Sequence, residues 1–312
     1  MPFEAAKTTI VAGLRAQSNA IESQSASGPV RNDHFYWQPS LNSRTQIADD
    51  TQLRWNLART TRTPKVWELI DRPVSTLSSN APNSPSFRGN PSLQPETTVA
   101  MDVGIDQRLA KDRGQAGLNL FVRDQRNVIA RRLGLQGGTT WTEQPDNVGD
   151  ATVWGLEADV RTKLDWLGLD PNWTLSSNAS LLQSRMRSGD TVGARLPGQA
   201  RYLLNTSVIK PLRVSGGWYG GGTLALVGAA DLDQPGADGA RITGRQPSHA
   251  QLDLYIGSVL PTLGFWRLNV YNITDFRRNT QRTVVDGNGV VYSDQSVQRL
   301  TPRVFFTIGT RL

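Results

Sequence analysis

Cysteine is absent from the 312 residues, so neither disulfides nor thiolate metal sites are available to this chain. Also missing is any run of about eighteen apolar residues, which excludes a membrane-spanning helix. The opening MPFEAAKTTIVAGLRAQ has no basic region followed by an apolar stretch and a small-residue cleavage site, so no secretory leader is expected in it. Histidine is nearly missing, with only His34 and His249. Lysine is scarce too: arginine outnumbers it 29 to 5 within a formal net charge of +7. Arginine suits bidentate recognition of carboxylates and phosphates, yet these arginines are dispersed rather than gathered into a stripe, which argues against a nucleic-acid partner.

What the sequence does have is alternation. From Trp154, every second residue is Trp154, Leu156, Ala158, Val160, Thr162 and Leu164, while Gly155, Glu157, Asp159, Arg161 and Lys163 lie between. Successive strand side chains point to opposite faces, so this is a strand with one apolar and one charged face. The same pattern returns at Ile10–Leu14, Leu53–Leu57, Val99–Ile105, Leu118–Val122, Trp173–Ala179, Tyr202–Val208, Leu224–Leu226, Leu252–Ile256, Trp266–Val270 and Val304–Ile308. A weaker strand around Pro39 and Leu41 brings the expectation to about twelve, with no helical stretch between them.

Connection lengths distinguish a membrane barrel from a soluble sandwich. Long connections are expected near 17–33, 61–96, 131–150, 187–198, 228–248 and 276–301. Short turns fall between them, at ADD, AKDRG, GLDPN, KPLRVSG and PTLG. Outer-membrane barrels have this asymmetry, with short periplasmic turns and long extracellular loops. Trp154, Trp166, Trp173, Tyr202, Trp218 and Trp266 lie near the ends of the apolar faces, where aromatic girdles belong. About ten residues tilted near 45° span an apolar band of about 25 Å. The expected fold is therefore all-β: an antiparallel transmembrane barrel segment.

Specific segments carry a resemblance. LRWNLARTTRTPKVWEL followed by GNPSLQPETTVAMDVGID resembles TonB-dependent outer-membrane receptors, in which a strand ends in Arg-x-Pro and a long loop returns through Asn-Pro-x-Leu-x-Pro-Glu. The matching residues are Arg62, Pro64, Glu68, Leu69, Asn90, Pro91, Leu93, Pro95 and Glu96. DATVWGLEADV resembles the family's Gly-x-Glu strand, through Gly155 and Glu157. LNVYNITD resembles its penultimate strand, and TPRVFFTIGTRL its C-terminal strand. The resemblance implies a barrel of about 22 strands around a plug, of which residues 1–312 would be the C-terminal portion. It implies a Gram-negative outer membrane, with membrane lipid and lipopolysaccharide around the wall. It also implies the barrel-assembly machinery as a partner, and energy from the TonB transducer acting through a plug that this chain lacks. The family usually ends in Phe, where this chain has Leu312. On this reading the chain is incomplete or processed.

Catalysis has little to work with. His249 and Ser248 are adjacent and so face opposite ways on a strand, and no serine sits in a Gly-x-Ser-x-Gly elbow. The chain is expected not to be an enzyme and to need no cofactor. GGWYGGGT lacks the Lys-Ser/Thr and the helix of a phosphate loop. Asp231, Asp233 and Asp238 in DLDQPGADG suit calcium in chemistry but not in spacing. VVDGNGVVY reads as a hairpin tip.

Ligand capture is the sharper expectation, through His34, Tyr36, Trp37, Arg88, Trp141, Arg195, Arg241 and Arg245 in the long loops. Aromatic faces and guanidinium groups suit an anionic, aromatic nutrient such as a ferric siderophore. Arg62 and Glu96 are expected to fix the loop that they flank. The alternative is a complete twelve-stranded passive pore or secretion barrel, which requires Ile10-Ala12-Leu14 to pair beside Val304-Phe306-Ile308.

Overall fold

The computed structural model describes residues 7–25, 28–74, 80–210, 217–237, 239–260 and 264–309. In chain order the first elements are β1 (Lys7–Ser25), β2 (Gly28–Ala48), β3 (Thr51–Arg62), α1 (Val66–Leu69), β4 (Ser86–Phe87), β5 (Glu96–Leu109) and β6 (Gly114–Arg126). There follow β7 (Ile129–Gln136), β8 (Thr140–Asn147), β9 (Ala151–Lys163), β10 (Thr174–Met186), β11 (Tyr202–Lys210) and β12 (Gly217–Val227). The last are β13 (Ala230–Pro235), β14 (Arg241–Gln246), β15 (His249–Leu260), β16 (Gly264–Tyr271), β17 (Arg277–Val285), β18 (Val291–Arg299) and β19 (Arg303–Gly309).

Twelve of these strands form one antiparallel wall, in the order β1-β2-β3-β5-β6-β9-β10-β11-β12-β15-β16-β19. They are the twelve that the alternation marks. Register keeps like faces together across the wall. Trp55 stands opposite Val103, Val103 opposite Leu120, Leu120 opposite Leu156 and Leu156 opposite Leu181. The next rung runs Leu53, Ile105, Leu118, Ala158, Ala179. A slip of one residue would turn each of these side chains to the other face, so the outer apolar band and the register enforce each other.

The inner face is polar and hydrogen-bonded to itself. Asn56 donates to Asn42, Arg54 pairs with Asp106 at 2.9 Å, and Asn119 donates to Glu157 at 3.4 Å. Between β6 and β9 this face carries one apolar joint. The ring of Phe121, 4% exposed, lies over Gly155, where an added Cβ would come within 2.6 Å of it. The glycine of the Gly-x-Glu pattern is thus a socket for the neighbouring strand's ring.

The sequence misplaces one region. Residues 17–25 and 28–33 are not an open connection but the paired half of a long ribbon. β1 and β2 stay in register from Lys7↔Gln46 to Ser25↔Gly28. The weak strand around Pro39 is in fact 21 residues long. Pairing of β2 with β3 runs only from Ser40 to Ala48. Pro39 therefore sits where the third strand's partnership ends and its missing N–H costs no ladder bond there. Beyond that point β1 and β2 continue as a two-stranded ribbon.

Three other long connections hold hairpins of their own. Residues 131–150 contain most of the β7–β8 hairpin, which joins β4 in a three-stranded sheet. Residues 228–248 contain the β13–β14 hairpin and 276–301 the β17–β18 hairpin, and together these make a four-stranded sheet. The β17–β18 turn falls at Asp286–Gly289, where Asp286 accepts the backbone N–H groups of Asn288 and Val290 at 2.9 and 2.8 Å. The turns at residues 211–216 and 261–263, and the terminal Leu312, lie outside the described residues.

β1 and β19 are the two edges of the wall and do not pair with one another among the described residues. Ile10, Leu14, Phe306 and Ile308 remain 61%, 67%, 62% and 69% exposed. Among the described residues, the closure that a small complete barrel requires is not formed.

Replacing Leu156, in the middle of the outer apolar band, by Arg should cost about 2–4 kcal/mol of stability in lipid. Glu157→Gln, on the inner face, should cost far less. Urea unfolding in lipid vesicles, read by heat-modifiable gel mobility, separates the two.

Candidate functional site

The long connection after β3 is a clasp closed by one ion network. Arg62, the last residue of β3, lies 3.0 Å from Glu68 and 3.7 Å from Glu96, the first residue of β5. Glu68 is 5% exposed and its second oxygen accepts the backbone N–H of Lys65 at 2.7 Å, closing the first turn of α1. A buried carboxylate costs free energy unless it is paired and hydrogen-bonded, and here both needs are met. The returning segment is pinned by backbone: Asn90 donates to Glu68 at 2.6 Å and Gly89 to Ile70 at 3.0 Å. An added Cβ at Gly89 would lie 2.5 Å from the Ile70 oxygen, so this close approach demands glycine. Pro64, Leu93 and Pro95 are buried beneath.

Neighbouring elements hold the clasp from both sides. Asn32 on β2 donates to the carbonyls of Pro91 and Leu93 at 3.0 and 3.1 Å. Gln144 on β8 donates to Gly89 at 2.9 Å, and Asn147 both accepts from and donates to the Gln94 backbone. Glu96 accepts the backbone N–H of Ile129 at 3.2 Å. The residues of the Asn-Pro-x-Leu-x-Pro-Glu segment thus build the loop end of the wall.

The residues expected to meet a ligand do not form one cluster. Strand parity divides His34, Phe35, Tyr36 and Trp37. Trp37 and Phe35 share a face with Pro39 and Leu41 and form an edge-to-face pair at 5.2 Å, 52% and 57% exposed. Both stand on the outward side of the ribbon, past the rung that joins Leu41 through Leu57, Met101 and Val122 to Trp154. His34 and Tyr36 face the inner side with their rings 6.1 Å apart. The Tyr36 hydroxyl and His34 Nε2 are buried with no hydrogen-bond partner among the described residues.

Trp141 belongs to a small core rather than to an open surface. It packs with Leu133, Ala240, Ile242 and Val284, and so joins the β7–β8 hairpin to β14 and β17. Its backbone exchanges two hydrogen bonds with Asn80, at 2.8 and 2.6 Å. Arg88 is committed to Asp71. Arg195 donates to Gln183, to the Leu182 carbonyl and to Gln199, and burial lowers its pKa. Arg241 grips Asp233 with two bonds of 2.9 Å, which hold the carboxyl below its ordinary range. Arg245, 71% exposed, lies 3.8 Å from Asp231, which also meets Arg201 at 3.1 Å. Asp231 and Asp233 are thus engaged by arginines, and Asp238 lies outside the described residues. His249 stacks on Phe276 at 4.1 Å.

The structure assembles one cluster that the sequence did not reveal. Trp67 of α1 lies 5.4 Å from Phe87 of β4. Arg131 of β7 stands over both rings, at 5.8 and 5.2 Å, and Lys65 lies 5.7 Å from the indole. Glu143 fixes Arg131 at 3.1 Å and also meets Arg282 at 3.4 Å. Trp67 itself stays 43% exposed. Phe87 and Arg131 are 20 and 64 positions from Trp67 along the chain, and no periodicity links a loop residue to a strand in the next hairpin.

The chain matches the family described as TonB dependent receptor-like, beta-barrel, over residues 1–273. It is 26% identical over 201 residues to the ferrienterobactin receptor of Escherichia coli (strain K12), a match covering 59% of this chain and 25% of that protein. It is 30% identical over 186 residues to the ferric enterobactin receptor of Pseudomonas aeruginosa, covering 54% of this chain and 23% of that one. Among solved structures, a variant of the P. aeruginosa receptor in complex with enterobactin aligns with a TM-score of 0.60 and 20% identity, over 96% of this chain and 45% of its own. The copper transporter OprC aligns with a TM-score of 0.63 and 16% identity, over 88% and 41%. At those identities the structural likeness establishes the fold. The chain spans less than half the length of these relatives.

Glu68→Gln should strip Arg62 of its buried partner and cost about 1–3 kcal/mol. Its readout is faster tryptic cleavage within residues 63–95, with heat-modifiable mobility of the wall retained. The Asp233–Arg241 pair gives a pH expectation. Because the folded-state pKa of Asp233 is depressed, the pair's contribution is full above the ordinary carboxylate range and fades only as pH falls through the lowered value. Hydrogen exchange over residues 230–246 should therefore show equal protection by the pair at pH 7 and at about pH 5.

Proposed function

The chain belongs to the TonB-dependent receptor β-barrel family of the Gram-negative outer membrane, and on that premise we propose that it forms the loop-bearing wall of a ferric siderophore uptake receptor. The observation that carries this reading is the coupling of wall and loops. A lipid-facing apolar band and a polar inner face end in a consolidated cap rather than in free strands. In this reading the long connections are extracellular and collect cargo. The polar inner face, with a concavity of about 810 Å³ lined by Arg54, Asp106, Arg108, Asp159 and Arg161, faces a plug and the passage. Energy comes from the TonB transducer acting on that plug. Two curated relatives are receptors for ferric enterobactin, which supports an iron chelate as the cargo.

The outward position of Trp37, beside Phe35, gives one of the expected ligand residues a different part. The two rings stand with the interfacial rim, beside membrane lipid and lipopolysaccharide. His34 and Tyr36, on the inner side of the same ribbon, remain available to cargo. Arg245 is the most open of the expected guanidinium groups.

Uptake of iron-55 chelates by iron-starved cells tests the proposal. Cells carrying the receptor should accumulate a ferric siderophore, and deleting the receptor or the transducer should abolish accumulation. Accumulation that persists without the transducer would instead favour a passive pore.

A further inference from the structure

The cap presents an aromatic surface that neither lipid nor core accounts for. Trp67 lies past the last residue of β3, beyond the strand that crosses the apolar band, so its exposure does not serve the interfacial rim. It does not serve a core either, because α1 buries Glu68 and Leu69 and turns Val66 and Trp67 outward, at 60% and 43% exposure. Exposed indole is costly in water unless something covers it.

The charges around it set what can cover it. Lys65 and Arg131 stand over the indole, while Arg131 and Arg282 share the carboxylate of Glu143, so these four groups carry a formal excess of +2. Lys65 has no carboxylate within ion-pair distance among the described residues. Arg131 is held by Phe87, Trp67 and Glu143 together, so its position is set before any ligand arrives. A flat ring laid on the indole would gain stacking, and oxygens at its edge would reach the ammonium of Lys65 and the guanidinium of Arg131. A neutral chelating group would leave the excess charge unanswered, and an aliphatic carboxylate would leave the indole uncovered.

We infer that the Lys65–Trp67–Phe87–Arg131 cluster is a docking site for a flat aromatic anion, the catecholate or phenolate arm of a ferric chelate. The inference rests on the uptake reading and narrows it to aromatic chelators. The clasp suits such a site because Arg62, Glu68 and Glu96 tie α1 to the ends of β3 and β5. The surface is thereby carried on the wall rather than on a free loop.

The test measures equilibrium binding of iron-55 chelates to outer membranes containing the receptor, with a ferric tricatecholate and a ferric trihydroxamate as probes. The variants are Trp67→Ala, Trp67→Phe and Lys65→Gln; the last keeps the backbone N–H that Glu68 holds. Heat-modifiable mobility and the tryptic pattern of residues 63–95 confirm that wall and clasp are intact. The expected result is tricatecholate binding weakened at least about tenfold by Trp67→Ala, several-fold by Lys65→Gln, and largely kept by Trp67→Phe. Equal tricatecholate affinity in all four proteins overturns the site. Preference of the unaltered receptor for the trihydroxamate overturns the aromatic assignment but leaves siderophore uptake standing. Binding of neither chelate overturns the uptake reading as well.

Discussion

A bilayer offers no water to a backbone N–H or C=O, so a chain that crosses it in strands must satisfy every ladder bond with a neighbouring strand. That constraint organises the molecule. It makes the strands long and fixes their register. It also makes the side-chain period two decisive, because one face meets lipid and the other the lumen. The rung from Trp55 through Val103, Leu120 and Leu156 to Leu181 follows from it, and so does the polar face opposite. Phe121 over Gly155 shows its reach: even a ring on the inner face is seated by the adjoining strand.

Where the wall leaves the membrane, the constraint relaxes and another takes its place. The long connections are too polar to collapse alone, and they gain order from one another. Glu68 and Glu96 converge on Arg62. Leu133, Trp141, Ala240, Ile242 and Val284 make a core from three separate hairpins. Asn83 reaches Asp294 across 211 residues of chain at 2.9 Å. The cap is therefore a small folded body standing on the strands. Its order bears on function, because a cation or an aromatic ring that is already in place loses less entropy when it meets a ligand.

The same accounting separates the candidate residues. Most of the arginines at the loop end are occupied: Arg88 by Asp71, Arg241 by Asp233, Arg62 by two glutamates. They hold hairpins together, and their charge is largely spent within the protein. Lys65 and the exposed indole of Trp67 are not committed in this way, and they stand on a part of the cap anchored by Arg62, Glu68 and Glu96.

The sequence by itself determined the twelve crossing strands, their two faces, the positions of most turns and the family. Each of these is written in local alternation or in a short contiguous motif, and lipid on one side makes that alternation obligatory. Even the hairpin tip in VVDGNGVVY was legible, since its turn chemistry lies within a few residues. Tertiary structure decided the rest. It turned Trp37 outward and Tyr36 inward, because β2 continues past Pro39 in register with β1 instead of opening into a loop. It buried Trp141 and brought Lys65, Trp67, Phe87 and Arg131 together. Those contacts join residues in different connections, and no local period reports them; they exist because the clasp is pinned at Arg62 and the hairpins share a core.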